Sequence, residues 1–172
     1  MDLLVPPLFA VVRNADVPTV LRTSSISLLA ECVDTCPLPV LPYVQDLCFG
    51  FIDLLQLESV PAKMTERDTT ALDEEVQPPL TMDPDPTSTN TKLPPLRRAA
   101  LHFLTLLIRA STKLIYDEGS AKTIVVFPRS ATQRASTTLG YISSTDDDNL
   151  VRIMAREAKE SLDMLQQAIL GL

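Results

Sequence analysis

One short figure occurs three times in this chain, and it constrains the fold more than any other feature. It is a leucine or valine followed by arginine at the mouth of an apolar helix. In "NADVPTVLRTSSISLLAEC" Asp16 precedes Leu21 and Arg22. In "STDDDNLVRIMAREAKESL" Asp146 stands at the same offset from Val151 and Arg152. "PPLRRAALHFLTLL" gives a weaker copy, with Leu96 and Arg97 at the helix mouth and Thr91 in the Asp position. A figure that returns on successive helices is the mark of structural repeats, each leaving an apolar face that the next must cover.

Composition agrees with a helical chain. Apolar residues make up 45% of the 172, aromatics only 5%, and there are four glycines, which is poor material for a sheet built on tight turns. Leu and Ala dominate the apolar runs and favour helix. The net charge of −7 argues against direct nucleic-acid binding, which needs clustered Lys and Arg. Cys32, Cys36 and Cys48 fall in apolar helical runs and read as reduced core thiols of a cytosolic or nuclear protein. The start, "MDLLVPPLFAVVRN", has no basic region and is broken by Pro6 and Pro7, so it does not read as a signal peptide. No run reaches the roughly 18 uninterrupted apolar residues of a membrane span, so no transmembrane segment is expected.

Along the chain, Leu3–Arg13 reads as a short helix with its prolines in the first turns. Asp16 is the expected N-cap of the next, which runs to about Pro37 on a stripe of Val17, Leu21, Leu28, Cys32 and Cys36. Pro42 opens a third helix to about Ser59, apolar at Val44, Leu47, Cys48, Phe51, Ile52, Leu54 and Leu55, and therefore packed on more than one side. Residues 60–94 are acidic and rich in Pro and Thr, and are expected to be a disordered insert. Pro94 and Pro95 then start a strong helix to about Ile115. Thr123–Phe127 has strand composition but nothing to pair with, so an extended loop packed on a helix is expected. Ala131, Ala135, Leu139 and Ile142 outline a weaker helix, and Thr145 with Asp148 resembles a capping box. The last helix buries Val151, Met154, Ala158, Leu162, Leu165 and Ile169, with Arg156–Glu160 and Lys159–Asp163 as outer i, i+4 pairs.

Arg22 and Arg97 lie 75 residues apart, and Arg97 and Arg152 lie 55 apart. Without the insert and the loop near residues 116–130, both spacings fall to roughly 40, close to the period of HEAT and armadillo repeats. The fold expected is therefore all-α: a HEAT-like α-solenoid of three helical hairpins, 2–13 with 16–36, 41–59 with 95–115, and 131–143 with 147–170. In chain order, residues 1–59 carry the first three helices, 60–94 the insert and 95–172 the last three. In such a hairpin Asp caps the second helix, and the arginine one turn in reaches an acid of the neighbouring repeat. Ala100 and Ala155, three residues after their arginines, and Ser25 in the same place mark close helix approach.

Two stretches carry a resemblance. "LRRAALHFLTLLIRA" and "LGYISSTDDDNLVRIMAREAKESLDML" resemble the C-terminal region of a family of large HEAT-repeat proteins. Fungal members of that family are RNA polymerase II assembly and nuclear-import factors, and animal members are named for transport and Golgi organisation. "LRTSSISLLAECVD" and "LPYVQDLCFGFIDLLQLE" fit the same region. The resemblance implies a cytoplasmic scaffold, shuttling to the nucleus, whose partners are polymerase subunits and import or assembly factors. It also implies a longer parent protein with preceding HEAT repeats, of which this chain is a terminal piece. The apolar first helix should then be open, and the chain alone should self-associate through residues 3–12, Leu8 and Val12 among them.

No catalytic, cofactor-binding or metal-ligating set is expected. His102 sits on an apolar helix without nucleophile or acid partners. The Asp146–Asp148 run lacks the Gly and distal Glu of a calcium loop and reads as helix capping. Of Arg97 and Arg98, one is expected in an ion pair between repeats and the other in solvent. No phosphate loop, nucleophile elbow or zinc-protease motif occurs, so an interaction protein is expected rather than an enzyme.

Overall fold

The computed structural model describes residues 3–59, 93–117 and 129–171. Among them the chain is all-helical. The elements are α1 (Val5–Arg13), α2 (Thr19–Thr35), a 3-10 helix (Leu38–Tyr43) that runs into α3 (Val44–Ser59), α4 (Pro94–Asp117), α5 (Arg129–Thr145) and α6 (Asn149–Leu170). Of the expected insert, 60–92 lies outside the described residues, as does Thr123–Phe127; Leu93 and Pro94 already lead into α4.

The helices pack in two rows. One holds α1, α3 and α5; the other holds α2, α4 and α6. Each helix of the first row also packs on the one that follows it in the chain. Contacts near the helix ends give the directions. Arg22, in the first turn of α2, meets Glu58 at the end of α3, and Arg97, in the first turn of α4, meets Asp146 just before α6. The helices of each row are thus parallel, and the two rows run opposite ways. Phe9, Phe51 and Phe103 form an aromatic spine from α1 through α3 to α4, with ring centroids 6.2 and 4.2 Å apart. Gly50 admits this spine: a Cβ there would collide with the Phe9 ring.

Most of the apolar periodicity became core. All seven apolar positions named in α3 are buried, as are Ala131, Ala135, Leu139 and Ile142 of α5. So are Ala100, Ala155 and Ser25, and Val151, Ala158, Leu162 and Leu165 of α6, whereas Ile169 is exposed. The run Leu38–Ser59 is long and apolar enough to cross a membrane even with Asp46 and Asp53 in it, against the expectation of no such segment; half of its most apolar stretch is buried against the other helices.

Several local expectations are corrected. Asp16 does not cap α2. Pro18 takes the N-cap position in an extended conformation, and the Asp16 N–H donates to Asn14 Oδ1 at 2.9 Å. Thr145 is no capping-box residue: it ends α5 and its hydroxyl donates back to the Tyr141 carbonyl. Asp148 itself is the cap, accepting the Val151 N–H at 2.9 Å. On α2 the expected stripe is borne out only in part. Cys32 is buried and Val17 half-buried, but Leu21, Leu28 and Cys36 are exposed, and the helix also buries Arg22, Ser25, Ile26, Leu29, Ala30 and Val33. On α1, Val12 is buried and Leu8 half-buried, so neither offers the open surface expected of it. Neither Arg156–Glu160 nor Lys159–Asp163 closes as an ion pair; Glu157 instead pairs across to Arg109 on α4 at 2.8 Å.

Candidate interaction surface

Arg22, Arg97 and Arg152 are each the fourth residue of their helix, α2, α4 and α6. That shared position lets each reach past the helix mouth toward the turn ends. Arg22 donates through Nε to the Val12 carbonyl at 3.0 Å and holds Glu58 at 3.7 Å. Arg97 pairs with Asp146, Nη2 donating to Oδ1 at 3.0 Å, while Nε lies 2.9 Å from Oδ2 without the geometry of a hydrogen bond. Arg152 turns back on its own turn, donating to the Asp146 carbonyl at 2.6 Å and to Asn149 Oδ1. Arg22, Glu58, Arg97 and Asp146 are all buried. Two cations and two carboxylates make this set neutral, which is how buried charge is tolerated.

Glu58 sits in the field of two arginines, yet its carboxyl is pushed above the ordinary value. Burial dominates, and Arg22 and Arg97 oppose it. One of Arg97 and Arg98 was expected in solvent, but both are paired: Arg98 takes Asp148, and that hydrogen bond, with the cap bonds from the backbone, holds Asp148 below the ordinary carboxylate range. Asp146 also accepts the Asp148 N–H at 2.9 Å, so one carboxylate closes the turn and receives the neighbouring arginine. Asp147 alone of the acidic run faces solvent without a role. In the other row, Arg134 of α5 donates to Asp53 and Gln56 of α3 at 2.6 and 2.8 Å.

The turn before α2 repeats the turn before α6. Asn14 and Asp146 each follow the last residue of a helix, donate N–H to the carbonyl four residues back and accept N–H from the residue two ahead. Asn14 is thus the counterpart of Asp146 in closing the turn, whereas the N-cap place that Asp148 holds on α6 is taken on α2 by Pro18. Asp146 and Asp148 hold Arg97 and Arg98; Asn14 and Asp16 are exposed.

His102 is exposed at the rim of a shallow cleft with Ser27, Glu31 and Asp34. Burial pushes the Cys48 thiol up to about 12, against the opposing charge of Arg134, so it stays a protonated core group. Among the described residues no cluster of three His, Cys, Asp or Glu could hold a metal ion. At the far end of α2 an open groove is lined by Pro37, Leu38, Leu106, Leu114 and the cations Arg109 and Lys113. Sequence reading found the arginines and Asp146 but missed Glu58 and Asn14, because neither stands at the offset the repeat figure uses. No family model, curated protein or solved structure matches the chain.

Proposed function

We propose that the chain is a HEAT-like α-solenoid that serves as a protein-interaction scaffold in the cytoplasmic assembly and nuclear import of RNA polymerase II. The observation that carries the scaffold reading is the serial placement of Arg22 on Glu58 and Arg97 on Asp146, one hairpin reaching the next at the same helical position. Stacked hairpins of this kind present extended surfaces to other proteins. The polymerase reading rests on the resemblance of "LRRAALHFLTLLIRA" and "LGYISSTDDDNLVRIMAREAKESLDML" to the assembly and import family. Affinity purification of the tagged full chain from cells, followed by mass spectrometry, tests it. Polymerase II subunits and import factors should co-purify. Coat or tethering proteins in their place would move the chain to secretion and Golgi organisation, the role after which the animal members are named.

A further inference from the structure

From the groove between α1 and α3 we infer a seat for an arginine side chain of a partner protein, carried on a segment with aliphatic residues beside the arginine. The groove is open and holds about 560 Å³. Phe9, Tyr43 and Phe49 line it, and Asp46 and Asp53 stand on its α3 side. Asp46, Phe49 and Asp53 share one face of α3, spaced at i, i+3 and i+7, so the ring has a carboxylate one turn away in each direction.

One of these two places is already filled, and its occupant shows what the arrangement takes. The Arg134 guanidinium of α5 lies 5.9 Å from the Phe49 ring centroid and donates to Asp53 at 2.6 Å. The ring face and the carboxylate both attract the same cation, and a planar guanidinium can meet the two at once. The Asp46 side repeats the parts without the cation. Asp46 lies between Tyr43 and Phe49 in the chain, one turn from each, and is exposed. Its side chain has no hydrogen-bond or ion-pair partner among the described residues. Arg13, the cation in the groove wall, is directed elsewhere. Phe9 meets Gly50 midway along the groove, and α1 and α3 run parallel, so Arg13 lies one turn past that point while Asp46 lies one turn before it. Arg13 stays on the Phe9 ring, 5.6 Å from its centroid.

The charge and the wall name the occupant. A lone carboxylate among aromatic rings favours a cation. A guanidinium suits it better than an ammonium, being planar and more weakly hydrated, so that it enters an aromatic groove at less desolvation cost. Val5 and Leu47 in the wall add apolar surface for the aliphatic neighbours of that arginine.

This inference deepens the scaffold reading and rests on it. The probe is a fluorescein-labelled peptide, Gly-Leu-Arg-Leu-Arg-Leu-Gly, titrated into the full chain by fluorescence anisotropy. Saturable binding is expected, weakened about tenfold or more, near 1.4 kcal/mol, by Asp46→Asn. It should weaken with Phe49→Leu, and also with a peptide carrying lysine for arginine. It should be lost with citrulline for arginine, which keeps the shape and removes the charge. Asp147→Asn removes an equal charge from an exposed place outside the groove and should change nothing. Asp46 is exposed and unpaired, so its variant should keep its helicity, and the peptide variants test the cation without altering the chain. Absence of binding overturns the inference, as does binding that responds equally to Asp46→Asn and Asp147→Asn, which would be attraction to the chain's net charge alone. Equal affinity for the citrulline or the lysine peptide overturns it too. So does a dimer in sedimentation that Asp46→Asn converts to monomer, which would give the seat to a second copy of this chain. Failure to co-purify polymerase subunits would remove the polymerase role and leave the peptide result untouched.

Discussion

Asp146→Asn removes one charge and little else. The side chain keeps its size, and its carbonyl oxygen can still accept the Asp148 N–H that closes the turn. Lost is the carboxylate that pairs with Arg97, between side chains 5% and 4% exposed. At such burial solvent screens little, and the substitution strands a guanidinium whose Nε and Nη1 already have no hydrogen-bond partner. Breaking a buried pair from one side costs about 3–5 kcal/mol. For a chain of this size that lowers Tm by roughly 6–20 °C. Urea unfolding followed by circular dichroism measures it, with the midpoint shifting at constant m. Asp146→Ala with Arg97→Met removes both charges and should recover most of the loss, because no buried charge is left uncompensated. A loss below about 1 kcal/mol in Asp146→Asn would refute the reasoning, as would a double variant no more stable than the single one.

Other substitutions address different links. Ala155 is fully buried between α6 and its neighbours, so Ala155→Leu should overpack and cost about 1–3 kcal/mol in the same assay. Gly50→Ala should cost a similar amount, about 1–3 kcal/mol, because Phe9 must leave its place on the spine, and the aromatic near-ultraviolet signal should change with it. Glu58 has a folded-state pKa above its unfolded value, so the fold binds the extra proton. Stability should fall as pH rises from the unfolded value through the folded one, and Glu58→Gln, compared with the parent across pH 4–8, should remove that fall.

How much was legible in the sequence depended on how many neighbours a helix has. Helix α3 lies among α1, α4 and α5, and its near-continuous apolar surface reported that directly. Helices α5 and α6 showed their buried stripes as period alone. Helix α2 misled because its two apolar stripes serve different purposes. Ile26, Leu29 and Val33 face the core, whereas Leu21 and Leu28 are equally apolar and equally periodic but bare. Periodicity records which faces can be buried, and only the packing reveals which are. Caps failed for a related reason. Asp16 stands at the right distance from its helix, but Pro18 takes the capping position and the turn closes through Asn14 instead. Glu58 could not be found from spacing, because it belongs to the end of a first-row helix and the figure was read at the heads of second-row helices.

The buried charges also bear on alignment. Leu- and Ala-rich helices such as α4 and α6 can slide along each other by a turn, about 5.4 Å, with modest loss of apolar contact. A slip of that size would separate Arg97 from Asp146 and leave both desolvated and alone. The pair therefore adds little net stability over an apolar replacement but opposes every other register. The hypothesis makes a demand on the double variant Asp146→Ala with Arg97→Met beyond its stability. Without the pair, the hairpins should sample more than one alignment, and the contacts of Arg109 with Ser161 and Glu157, which join α4 to α6, should be averaged. Methyl resonances of Leu162 and Leu165, buried on α6, should then broaden or split in NMR spectra while helicity persists. If the variant instead gives one sharp set of resonances at unchanged shifts, side-chain shape alone fixes the register and the charge pair is dispensable to it.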